Sequence, residues 1–215
     1  MSDLTAIDIL VDPDPAAIER ARTVNARLLQ SVPSPPGWEL DDTHMPHITH
    51  LQRYVRTADL AHVNDAVAQT VAATDMASLG YQAVKITHAD WGFPGMAPTV
   101  LLVQVSPEVL AFQAALVAAV TPFVESGGTA AAFVADPGEI ISPTIIDWVD
   151  KYVPAQIGDG NYLPHLTVGV ATFDDLEIIE AEPFDPITVH PASVSIYHLG
   201  NNGTARKLLK TWQVG

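Results

Sequence analysis

Apolar positions along the chain recur first at strand spacing and then at helix spacing, and the alternation runs twice. AIDILV (6–11) is a short apolar run that predicts a strand. Asp14 and Pro15 form an N-cap and first-turn pair. AAIERARTVNARLLQSV then brings Ile18, Ala21, Val24, Leu28 and Leu29 near one helical face. The loop PSPPGWELDDTHM follows, and the motif strand MPHITHL (45–51) comes after it. ADLAHVNDAVAQTVAAT predicts a helix and QAVKITHADW a strand.

The second half repeats the order. TVLLVQV (99–105) predicts a buried strand, Ser106 and Pro107 supply the cap and first turn, and EVLAFQAALVAAVTPFV predicts a strongly apolar helix. An irregular region containing GGTAAAF, DPGE and GDGN follows, with a short helix expected over IISPTIIDWVDKYV. The strand YLPHLTVGV (162–170) comes next. Pro15 to His47 spans 32 positions and Pro107 to His165 spans 58, so the second copy carries about 26 extra residues. An acidic segment, DDLEIIEAE, then ITVHP and SVSIYHL lead to the turn NNG (201–203), which predicts a hairpin with TARKLLKTWQV.

The expected fold is therefore α+β, one bilobal domain over residues 1–215 with an internal repeat at approximately 4–95 and 97–215. Two antiparallel-type sheets would face a central cleft with helices outside.

The repeat carries one motif twice, Pro46-His47-Ile48-Thr49 and Pro164-His165-Leu166-Thr167. On a strand His47 shares a face with Thr49, and His165 with Thr167. Each copy presents an imidazole and a hydroxyl from fixed backbone. Two such pairs across a gap suit phosphodiester hydrolysis. One histidine would start neutral as base and the other charged as acid. The threonines would donate to the phosphate oxygens.

The paired His-x-Thr motifs in duplicated halves resemble the two-histidine (2H) phosphoesterases, a superfamily that includes bacterial 2′–5′ RNA ligases and RNA 2′,3′-cyclic phosphodiesterases. The resemblance covers both motifs, the strand and helix before each, and the closing hairpin. It implies that His47 and His165 transfer protons, that Thr49 and Thr167 hold the phosphate, and that no metal or other cofactor is needed. The chain departs from the family after the first motif, where HLQRYV stands in place of an apolar strand. The substrate expected is a 2′,3′-cyclic phosphate or 2′–5′ linkage in a nucleotide or short RNA. The alternative is a module that binds such an end without turnover.

Composition narrows the partners. Hydrophobic residues are 48% of the chain, enough for a filled core. Twenty-five acidic against 10 basic residues give a net charge of −15, which argues against a grip on long nucleic acid. With no cysteine, thiol nucleophiles, zinc–thiolate sites and disulfides are excluded. No apolar run reaches membrane-spanning length, and the opening MSDLTAID lacks a secretory signal pattern. A cytoplasmic protein is expected; the sequence leaves the oligomeric state open, with a monomer as the default.

Tyr162, Tyr197 and Arg206 are further candidates for substrate contact, Arg206 with Lys207 and Lys210 as a cationic patch. Trp91, Phe93 and Trp148 could stack on a base or wall the cleft. His44, His47 and His50 have a spacing that invites a metal, but strand geometry points His47 away from the other two. The glycine-rich stretches lack the strand–glycine–helix context and lysine of a phosphate loop.

Overall fold

The computed structural model describes residues 3–158 and 160–214. Met1, Ser2 and Gly215, at the ends of the expected domain, and Asp159 of GDGN lie outside the described residues. The strands are β1 (Leu4–Pro13), β2 (Ile48–Arg56), β3 (Tyr81–His88), β4 (Met96–Val105), β5 (His165–Thr172), β6 (Ile187–Val189), β7 (Pro191–Leu199) and β8 (Ala205–Gln213). The helices are α1 (Pro15–Ser31), α2 (Leu60–Ala73), α3 (Pro107–Val120), α4 (Pro143–Gln156) and α5 (Phe173–Ala181).

These strands form two four-stranded antiparallel sheets, ordered β2-β1-β7-β8 and β5-β4-β3-β6, so the fold is α+β with two sheets. The sheets do not follow the sequence repeat. β3 leaves the first half to pair with β4, and β7 leaves the second half to pair with β1. The helices cross as well: α1 packs on β5, while α3 packs on β2 and against α2. One continuous core results, joining Ile7, Ile9 and Ile196 on the first sheet to Leu101, Val103 and Leu166 on the second.

Local chemistry sets the element ends. Asp14 caps α1, accepting from Ala16 N and Ala17 N at 2.9 and 3.1 Å. Ser106 precedes α3 as expected, but its hydroxyl accepts from Gly80 N (3.3 Å) and makes no capping bond to the helix backbone. The acidic DDLEIIEAE contributes to α5, where Thr172 accepts from Asp175 N and two acids sit in the first turn, matching the helix dipole. The β7–β8 hairpin turns at Asn202 (φ 56°) and Gly203 (φ 77°), left-handed positions that asparagine and glycine tolerate.

The insertion forms its helix, α4, and a small core of its own. Phe133, Ile141, Ile145 and Val149 pack on Ala6, Tyr54 and Leu199 of the first sheet. That packing raises α4 as one wall of the cleft.

Candidate active site between the sheets

The edge strands β2 and β5 come together where the two sheets meet. Each begins at its motif, and the two copies have the same burial pattern: proline buried, histidine half-buried, aliphatic residue buried, threonine half-buried. His47, Thr49, His165 and Thr167 all line one cleft of about 920 Å³.

Each motif strand also bulges just after its threonine. On β2 the pairing steps from Leu10↔Thr49 to Ile9↔Leu51, leaving His50 as the extra residue. On β5 it steps from Val100↔Thr167 to Thr99↔Gly169, leaving Val168. A bulge withdraws a residue from the ladder and re-aims its neighbours. Both displaced carbonyls are captured by buried amides: Gln113 Nε2 of α3 donates to His50 O (3.2 Å), and Asn25 Nδ2 of α1 donates to Val168 O (2.9 Å). The first bulge also turns Gln52, rather than Leu51, toward the cleft.

The two imidazoles are held alike. His47 Nδ1 lies 2.7 Å from Met45 O, and His165 Nδ1 lies 2.9 Å from Leu163 O. A carbonyl oxygen only accepts, so each Nδ1 carries hydrogen and each Nε2 is left to exchange protons. Burial pulls the His165 pKa below 6.5; the Leu163 carbonyl opposes this, and the charge of His47 lowers it further.

The threonines differ. Among the described residues Thr167 has no side-chain hydrogen-bond partner, whereas Thr49 Oγ1 lies 2.9 Å from Asp8 Oδ2. Asp8 is fully buried in the middle of β1, with Gln52 Nε2 at 3.0 Å and His47 Nε2 at 3.8 Å from the same oxygen. An acid inside the apolar run AIDILV is the sequence signal for this residue.

Tyr162 lines the cleft, and its hydroxyl donates to Thr49 O (2.6 Å). Tyr197 packs with Leu10 and Ala205 and is not among the cleft-lining residues. Arg206 pairs with Asp136 and is not among the cleft-lining residues. Trp91, Phe93 and Trp148 line the cleft. Sequence reasoning misses Trp38, which also lines it, stacked on His44 (5.8 Å between ring centres) and edge-on to Phe93 (5.9 Å). Asn25 fixes this wall by donating to Trp38 O at 2.7 Å.

His50 does not join His44 and His47. It is buried among Tyr81, Phe112 and Tyr162, with Nε2 2.9 Å from Tyr81 Oη. Among the described residues no three His, Asp or Glu side chains are grouped to hold a metal. No helix among them is long and apolar enough to cross a membrane.

No protein-family model matches the chain, and no curated protein matches it.

Proposed function

We propose that the chain is a metal-independent phosphodiesterase of the two-histidine kind, acting on a 2′,3′-cyclic phosphate or 2′–5′ linkage in a nucleotide or short RNA. The observation that carries this reading is the matched pair of motifs on one cleft, each with Nδ1 tied to a carbonyl and Nε2 left for proton transfer.

His165 starts neutral, as its burial favours, and takes a proton from the attacking water. The water oxygen bonds to phosphorus as the bond to the leaving ribose oxygen breaks. His47 gives its proton to that oxygen. Thr167 and Thr49 donate to the non-bridging oxygens, and solvent returns the histidines to their starting states. The aromatic wall of Trp38, Trp91 and Phe93 supplies apolar faces for a base. Cytoplasmic residence belongs to the same proposal.

The test is turnover of nucleoside 2′,3′-cyclic phosphates and 2′–5′ dinucleotides with chelator present, comparing wild type with His47→Ala and His165→Ala. Each substitution should lower kcat by about a hundredfold or more. Near-normal rates in both variants would overturn the assignment. Binding without turnover would favour a recognition module.

A further inference from the structure

Thr49 and Thr167 occupy equivalent places, yet a carboxyl group meets only Thr49. Counting two positions back along the paired strand from Leu10 and from Val100 gives Asp8 beside Gln52 in one sheet and Pro98 beside Val170 in the other. The first site therefore holds a polar pair where the second is apolar.

Asp8 is poorly provided for as an anion. Its side chain is fully buried, Oδ1 has no hydrogen-bond partner, and Oδ2 has two. An ionised carboxylate left with a bare buried oxygen is costly, and a neutral acid much less so. An ionised Asp8 would also draw the Thr49 hydroxyl proton to itself and set a negative charge beneath a bound phosphate.

We propose that Asp8 is a positioning residue that works as a neutral hydrogen-bond donor: its carboxyl proton goes to Thr49 Oγ1, freeing the Thr49 hydroxyl proton for a phosphate oxygen. This rests on the proposed function for its catalytic meaning, although the protonation of Asp8 can be read without turnover. Burial raises the Asp8 pKa above 3.8, against the pull of His47, Gln52 and Thr49, with Asp12 of its own strand adding to the rise. Tyr152 of α4 and Tyr162 before β5 also face it, and burial keeps both phenols protonated.

The experiment compares Asp8→Asn with Asp8→Ala. The amide can donate to Thr49 but cannot ionise, and Gln52 can turn its unpartnered Oε1 to accept from it. Asp8→Asn should keep kcat/KM within about fivefold of wild type, and Asp8→Ala should lose about tenfold to a hundredfold. Wild-type affinity for inorganic phosphate should fall as pH rises through the Asp8 pKa, and Asp8→Asn should lack that fall. The stability that a protonated Asp8 contributes is present below 3.8 and lost as pH rises through the raised value, so the asparagine variant should also lose that decline. The Asp8 carboxyl 13C shift, followed by NMR with phosphate bound, reports protonation directly. An ionised carboxyl near neutral pH, or an asparagine variant as impaired as the alanine one, would overturn the proposal. If no substrate turns over, the proposed function fails while the NMR titration still decides the state of Asp8.

Discussion

The Tyr162 hydroxyl donates to the Thr49 carbonyl oxygen at 2.6 Å, tying the approach to the second motif to the backbone of the first. Tyr152 Oη reaches the same oxygen at 3.4 Å, a weaker contact. Tyr162→Phe should cost about 1 kcal/mol of stability in chemical denaturation and lower kcat several-fold, because it loosens the spacing of the two histidines. An unchanged kcat would mean that the bond does not set that spacing.

The lowered His165 pKa fixes the direction of one pH limb. A base must be neutral, so activity should rise with pH through a midpoint below 6.5, the ordinary histidine value. A kcat/KM profile over the acid range measures it. A midpoint above 6.5 would assign the base elsewhere.

The cleft wall and the basic strand should separate in binding assays. Trp38→Ala should weaken binding of a cyclic nucleotide by about 1–3 kcal/mol, the range for losing a stacked aromatic. Arg206→Ala should leave that affinity within about twofold, since Arg206 is paired with Asp136 and neither residue lines the cleft. Titration calorimetry distinguishes the two.

Buried His50 should make the protein acid-sensitive. Burial drops its pKa from 6.5 to about 3, so the unfolded chain takes up a proton that the folded one refuses. Stability therefore falls as pH drops below 6.5, by about 2 kcal/mol at pH 5 from this residue alone. Denaturant melts of His50→Gln should show a shallower fall than wild type between pH 7 and pH 5.

Gly169 follows the second bulge at φ 142°, and an added Cβ would lie 2.9 Å from Leu28 Cδ1 and 3.0 Å from Asn25 Nδ2. Gly169→Ala should destabilise by about 1–3 kcal/mol, from backbone strain and displacement of the Asn25 amide. Thermal unfolding checks the direction, and an unchanged midpoint would mean that α1 yields easily.

Much of this architecture is legible in local pattern. The caps at Asp14 and Thr172 and the turn at Asn202 are short-range effects, and the first and last can be placed from neighbouring residues alone. The exchange of β3 and β7 cannot, because strand partners depend on contacts far apart in sequence. Simple alternation places His47 with Thr49 correctly but would put Leu51 on the cleft, and the bulge at His50 reverses that. Arg206 looks available in the sequence because its partner, Asp136, is 70 residues away. Asp8 shows in the sequence only as one acid within an apolar run, because its contacts to Thr49 and Gln52 lie 41 and 44 residues away.

The exchange of strands between the halves bears on how the protein is made. β1 and β2 leave the ribosome well before β7, and the far edge of β1 has no partner until β7 emerges. The second sheet draws all its strands from residues 81–189 and can assemble before then. The growing chain thus carries an open edge on β1 until β7 is made, and β7 is the strand that shields it.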